Sequence, residues 1–228
     1  MSPVRLTVLY EDNHLLAVFK PAGLATMGAP GGSDTLWTVA KQYIKQRYQK
    51  PGNVYLGVVS RLDSPVTGVV LFARTSKAAA RLTEQFRTRS VEKVYWAIVE
   101  GIMEPAVGEC GDWVLHDERA RRMRVVGPLV PDARQAQLSF RRLDVLERAT
   151  LLEIELETGR KHQIRVQMAH RLHPIVGDTK YGSHRPFAHG IALHARRLAF
   201  DHPVRGERIV LRAPLPPSWH AWGVVDEG

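Results

Sequence analysis

A single carboxylate, Asp63, stands in the segment Ser60-Arg61-Leu62-Asp63-Ser64-Pro65-Val66-Thr67-Gly68, between the apolar runs Val54 to Val59 and Val69 to Ala73. Runs of that length and composition read as interior strands, so the segment is expected as a short loop trapped between them. An acid presented from a rigid scaffold can serve as nucleophile or general base. The same composition also suits an Asx-turn, in which Asp63 bonds its own backbone beside Ser, Pro and Gly. A second segment, Glu157-Thr158-Gly159-Arg160-Lys161-His162-Gln163-Ile164-Arg165, concentrates donors where a strand gives way to a helix. Helix starts with adjacent cations bind phosphate or carboxylate. A capped helix with a solvated basic face is the alternative.

Other reactive residue types carry less. The histidines His170, His173, His184, His189 and His194 have no carboxylate or thiolate beside them at zinc-like spacing, so no metal site is expected. Cys110 is the only cysteine, which excludes disulfides and thiolate zinc sites and fits a reducing compartment. With His116 as its one, distant basic neighbour, it is not expected to be a nucleophile.

The elements that must hold these segments follow from periodicity. Val4, Leu6, Val8 and Tyr10 alternate, and Leu15 to Phe19 forms a second run ended by Lys20-Pro21-Ala22-Gly23, giving two strands and a tight turn. After a Gly/Pro-rich loop over residues 29–33, Ser33 or Asp34 is expected to cap a helix carrying Leu36, Val39, Ala40, Tyr43, Ile44 and Arg47, ending before Pro51. Ser76 caps a second helix to about Arg87, with Ala79, Ala80, Leu82 and Phe86 inward, and Val91 to Val99 returns as a strand. Arg121 to Val126, Gln135 to Leu143 and Thr150 to Glu157 alternate with period two, placing Leu152, Ile154 and Leu156 on one face. Thr158-Gly159 breaks the last of these, and Arg160 to about Arg171 is expected as a helix with Ile164, Met168 and Leu172 aligned. Ile191 to Phe200 and Arg208 to Arg212 are the final strands, closed by Pro214, Pro216 and Pro217. Strands interspersed with few helices predict an α+β fold with a mixed, largely antiparallel sheet.

At 228 residues, 44% hydrophobic and 24% charged, the chain is a globular protein with one sizeable core rather than a disordered or repetitive segment. Its apolar stretches fall far below the roughly 18 residues of a membrane span, and the N-terminus lacks a signal-peptide pattern, so no membrane partner is expected. Lys and Arg number 32 against 23 Asp and Glu, and the net charge of +9 points to a polyanion, nucleic acid first; solubility alone is the plainer account. The basic residues come in clusters, Arg119, Arg121, Arg122, Arg124 and Arg134, then Arg141, Arg142, Arg148, Arg160, Lys161, Arg165 and Arg171, as a phosphate-tracking face would.

Taken together, the two segments resemble the RluA-type pseudouridine synthases. Ser60 to Gly68 is similar to their H-R-L-D-x-x-T-S-G signature, and Thr158 to Gln167 to their T-G-R-x-H-Q-I-R segment. Further stretches agree in order and spacing: Leu9 to His14 leading to Lys20-Pro21-Ala22-Gly23-Leu24, then Glu92-Lys93-Val94-Tyr95, then Gly177-Asp178 with Tyr181-Gly182 and Leu193-His194-Ala195. The likeness runs from about residue 7 to residue 203. Ser60 stands where the signature has His, Val66 where it has Thr and Thr67 where it has Ser, which bears on how the loop is held.

The resemblance implies a bilobed catalytic domain spanning residues 1–228 with a central RNA-binding cleft, a cytoplasmic location, and no cofactor or metal. Many relatives place an S4-like domain before the catalytic one. Here the pattern begins near residue 4, so no S4 domain is expected and docking falls to the catalytic domain, as a monomer. The implied reaction isomerises uridines in structured ribosomal or transfer RNA to pseudouridine; the alternative is a catalytically silent RNA-binding protein of the same fold. By the resemblance Asp63 is the catalytic aspartate, Tyr95 the aromatic under the target uracil, Arg165 the cation paired with Asp63, and Ile164 part of the apolar wall. Arg61 helps fill the space left by the extruded base, while Arg160, His162, Gln163 and Thr67 are carried over as substrate-binding residues. A carboxylate held against a guanidinium keeps its charge, as a nucleophile or base requires. On residue pattern alone, Tyr95 suits strand packing and Arg61 a structural ion pair.

The charge reading carries a test: RNA affinity should fall steeply as salt rises from about 50 to 200 mM, with a slope near −0.7 to −0.9 per phosphate neutralised. A salt-independent affinity would remove the basic face from the argument.

Overall fold

The computed structural model describes residues 6–28 and 33–226. Val4 and residues 29–32 of the expected loop lie outside that range. The chain divides into two compact units, residues 1–91 with 196–214 and residues 92–195 with 215–228.

The first unit holds strands β1 (Thr7–Glu11), β2 (Leu15–Lys20), β3 (Gly57–Val58) and β4 (Thr67–Ala73), helices α1 (Leu36–Arg47) and α2 (Ser76–Arg87), most of β10 (Leu193–Asp201), and β11 (Arg208–Arg212). β2 pairs antiparallel with β1 and β4, β3 with the end of β4, and β11 with Arg197–Asp201 of β10. Because successive strand residues point to opposite faces, β2 and β4 are covered twice. Leu15, Ala17, Val69 and Leu71 pack with Ala78 and Leu82 of α2, whereas Leu16, Val18, Val70 and Phe72 pack with Leu36, Ala40 and Ile44 of α1. A strand buried on both faces carries no polar alternate, which is why Val69 to Ala73 reads as one apolar run.

Several expected boundaries move. Thr35, not Ser33 or Asp34, caps α1: its extended backbone lets its hydroxyl accept the Thr38 N–H, and the Thr38 hydroxyl accepts the Thr35 N–H in return. Thr75, not Ser76, caps α2 by accepting from Ala78 N–H. The inward face of α2 carries Ala78 and Leu82 fully buried, with Ala79 and Phe86 packed beside them as expected, whereas Ala80 is exposed. Of the run Val54 to Val59 only Gly57–Val58 is strand; Val54 and Leu56 are buried by packing in the α1 cluster rather than by pairing.

The second unit is a sheet of β5 (Glu92–Glu100), β6 (Val107–Asp117), β7 (Arg122–Val126), β8 (Arg134–Leu146) and β9 (Ala149–Leu156), with helix α3 (Gln163–His170). Its order is β5-β9-β8-β6-β7, every neighbour antiparallel. α3 packs through Val166 on Val114, Met123 and Ala136, with Tyr181 in the same cluster. β6 has no counterpart among the expected strands, because Gly108, Gly111 and Asp112 interrupt its apolar alternation and only Cys110 and Val114 are buried. α3 starts at Gln163 rather than Arg160, since His162 takes a left-handed conformation (φ 51°) that ends the preceding turn. Leu172 does not extend the apolar stripe: it lies past the helix end at φ 64° and is 87% exposed.

The fold is α+β and its pairings are largely antiparallel, as expected. Among the described residues no helix is long and apolar enough to cross a membrane.

Candidate active site

Asp63 occupies the connection between β3 and β4 in the first unit and is half-buried. The backbone on both sides of it is tied down. β3 stops at Val58, and the Ser60 hydroxyl continues its work by accepting the Leu71 N–H of β4 at 2.8 Å. Thr26 plays the same part for Leu62, donating to its carbonyl at 2.9 Å and accepting its N–H at 3.1 Å. Val66 N–H donates to the Asp63 carbonyl at 3.1 Å, closing a turn over Ser64 and Pro65. The Ser64 carbonyl accepts from Gly23 N–H and from Lys20 Nζ, both at 2.9 Å. Gly23 sits at φ 82°, a backbone that glycine adopts without strain, and this turns its N–H toward Ser64.

Lys20 is the centre of this clamp. Its side chain is fully buried, and Nζ donates to the carbonyls of Pro21 at 2.9 Å, Leu24 at 2.7 Å and Ser64, so an acceptor meets each ammonium proton. Burial pulls the Lys20 ammonium down to about 7, against the attraction of the Asp63 charge. The departures from the family signature fit this packing: Ser60 bonds to β4, while Val66 and Thr67 are buried. Arg61 is exposed.

The remaining expected site residues belong to the second unit. Tyr95 is half-buried on β5, opposite Ile154 of β9. Arg165 projects from the first turn of α3 and is 4% exposed. Its Nε and Nη2 donate to the two carboxylate oxygens of Asp178 at 2.6 and 2.9 Å, a bidentate pair that fixes the guanidinium plane. The guanidinium also lies over the ring of Tyr181, 5.0 Å from its centroid. The Tyr181 hydroxyl accepts the Met123 N–H at 2.9 Å and stands 2.7 Å from His162 Nδ1.

Gln163 is buried, and its amide shapes the turn before α3. Its carbonyl oxygen accepts from the Thr158 hydroxyl and Arg160 N–H, and its NH2 donates to the Gln137 carbonyl. Ile164 is buried beside it, Arg160 is exposed and His162 is half-buried. Lys20, Asp178 and Tyr181 are the positioning residues that residue chemistry alone passed over. Each stands in a family-like stretch, but as an ordinary turn lysine, acid or aromatic it carried no signal of its own.

Cys110 is buried and its thiol is pushed up to about 11, so it stays protonated; Arg171, not His116, is its basic neighbour. Among the described residues no group of three His, Cys, Asp or Glu is placed to hold a metal.

Two tests follow from the clamp and the pair. Lys20→Met removes the buried donor from the Pro21 and Leu24 carbonyls, at about 1–3 kcal/mol for each group left unpaired, while the Ser64 carbonyl keeps the Gly23 N–H. Native Lys20 releases its proton near 7 and the unfolded chain near the ordinary 10.5, so between these values the unfolded state binds more protons and native stability rises with pH. The stability of wild type over Lys20→Met, from urea unfolding, should therefore grow between pH 7 and 10; a difference that shrinks refutes the assignment. Asp178→Ala removes the bidentate acceptor of a buried guanidinium and should cost up to about 3–5 kcal/mol, with Asp178→Asn costing less because its amide oxygen still accepts one bond.

Residues 14–170 match the family described as RNA pseudouridylate synthase. The chain is 37% identical to the ribosomal large subunit pseudouridine synthase D of Xanthomonas campestris, over 93% of this chain and 67% of that protein. It is 32% identical to the tRNA pseudouridine synthase C of Vibrio parahaemolyticus, over 96% of this chain and 94% of that one. Among solved structures it is similar to human RNA pseudouridylate synthase domain containing 4, with a TM-score of 0.79 and 26% identity over 95% of this chain and 93% of the other. The matched span runs through Lys20, Asp63, Tyr95 and Arg165, and the chain belongs to the RNA pseudouridylate synthase family.

Proposed function

We propose that Asp63 carries the reaction of this RNA pseudouridine synthase. The N1–C1′ bond of a uridine in structured RNA breaks, the base turns, and a C5–C1′ bond forms while the C5 proton leaves and N1 gains one. The observation that carries the reading is the clamp: a half-buried carboxylate presented from a loop whose neighbours Ser60, Leu62, Ser64 and Val66 are all hydrogen-bonded in place. Such a group suits either attack on C1′ or removal of the C2′ proton.

Tyr95 is proposed to lie under the uracil, Arg165 to supply the cation beside Asp63, Ile164 to contribute apolar wall, and Arg61 to occupy the space vacated by the base. Arg160, His162 and Thr67 complete the substrate contacts, with Gln163 shaping the turn that carries them. Extruding a base costs a few kcal/mol, and stacking on an aromatic returns about 1–3 kcal/mol. The balance favours uridines in loops, bulges or weak stems. Relatives are named for ribosomal and for transfer RNA, and we assign this chain a substrate of that kind, modified in the cytoplasm by a single copy.

Tritium release from [5-³H]uridine-labelled RNA tests the reading. Wild type should release label and Asp63→Asn should not, while still binding the RNA. Equal release by both would show that Asp63 is not the catalyst. Release by neither would leave an RNA-binding protein of the same fold.

A further inference from the structure

Over much of the surface the arginines face carboxylates. Arg87 pairs with Glu84, Arg141 with Glu153, Arg142 with Glu104, Arg171 with Asp112, Arg205 with Asp12 and Glu207, and Arg208 with Asp201. Around the turn that leads into α3, within the second unit, the pattern changes. Arg122, Arg134, Arg160, Lys161 and Lys180 are all exposed, and among the described residues none lies within ion-pair distance of a carboxylate. Asp117, across the β6–β7 ladder from Arg122, accepts the Ala120 N–H at 2.9 Å and lies 3.9 Å from Arg124, and Arg122 attracts it only from beyond ion-pair distance.

Three of these cations are also held. Arg160 Nε donates to the Gln135 carbonyl at 2.8 Å, Arg122 Nη1 reaches the Lys180 carbonyl at 3.4 Å, and Lys161 Nζ stands 3.3 Å from His116 Nε2 on β6. Arg134 precedes Gln135 and sits opposite Val114, so its side chain shares the sheet face on which α3 packs. Ordering long side chains costs rotamer entropy, and gathering like charges adds repulsion. Cations kept for solubility would be dispersed and free to move. A partly anchored collar whose cations lie beyond ion-pair distance of any described carboxylate is what a polyanion would complete.

We propose that this collar docks the sugar–phosphate backbone of the substrate RNA and supplies affinity through phosphates; Arg122, Arg134, Lys161 and Lys180 stand apart from the groups proposed to meet the reacting uridine, and Arg160 belongs to both. The proposal rests on the reading that the chain acts on RNA, and it locates where that RNA is held. Phosphate contacts fix register without reading sequence. The collar therefore tolerates any structured RNA, and selection of the uridine falls to the site itself.

The test uses the full chain and unmodified ribosomal and transfer RNA transcripts. The triple variant Arg122→Gln/Arg134→Gln/Lys161→Gln, none of whose positions belongs to the proposed site, should lose about tenfold or more in affinity at 100 mM salt. The slope of log K against log salt should flatten by about 2 to 3, at roughly 0.7–0.9 for each phosphate that the variant no longer neutralises. Tritium release in a single turnover at saturating RNA should remain within twofold of wild type. The charge-preserving variant Arg122→Lys/Arg134→Lys/Lys161→Arg should keep the slope, which separates lost charge from lost fold. Unchanged affinity and slope in the first variant would overturn the proposal, as would equal displacement of RNA by polyglutamate at matched charge. A collar-dependent slope in a protein that releases no tritium would instead sink the isomerase reading and leave the collar standing.

Discussion

One buried ammonium organises the acidic loop. Loops are the least constrained parts of a fold, yet a reacting carboxylate must be held to a fraction of an ångström. Lys20 meets that demand by gathering three carbonyls from two segments, the Pro21–Leu24 turn and Ser64, around a single charge. The hydroxyls of Thr26 and Ser60 each stand in for a strand partner on either side of Asp63. All of this hangs on β2 and β4, which are rigid because both of their faces are packed.

A second buried charge is handled differently. Arg165 is removed from water, and a lone guanidinium there would carry a large desolvation cost. Asp178 offsets it with two parallel bonds and the Tyr181 ring supports it from below. The pair contributes geometry more than stability, since a buried ion pair returns little beyond its own desolvation. The left-handed His162 lets the chain enter α3 with Arg165 in the first turn and its own ring against Tyr181.

Charge outside these interior sites is unevenly distributed. Much of the surface arginine is paired with acids, whereas the approach to α3 concentrates cations that only carbonyls and an imidazole restrain. The net charge of +9 is therefore spread unevenly, with part of it gathered at the approach to α3.

How much could be read before the fold was known differs by residue. Val69 to Ala73 announced an interior strand, because burial on two faces removes polar alternates, and the acid beside it stood out for the same reason. The caps at Thr35 and Thr75 were missed by one or two residues, since adjacent Ser, Asp and Thr compete for one role and only backbone dihedrals choose among them. β6 escaped notice because its glycines and acids conceal its period. Tertiary structure alone decided that Lys20 caps the Asp63 loop and that Asp178 holds Arg165. Those partners lie 44 and 13 residues apart, and neither periodicity nor propensity acts over such gaps; only the folded chain brings a donor to its acceptor. What the linear order of residues did determine was the chemistry on offer, an acid, an aromatic and a cation in family-like surroundings, because side-chain type is inherited from the chain whereas position is a property of packing.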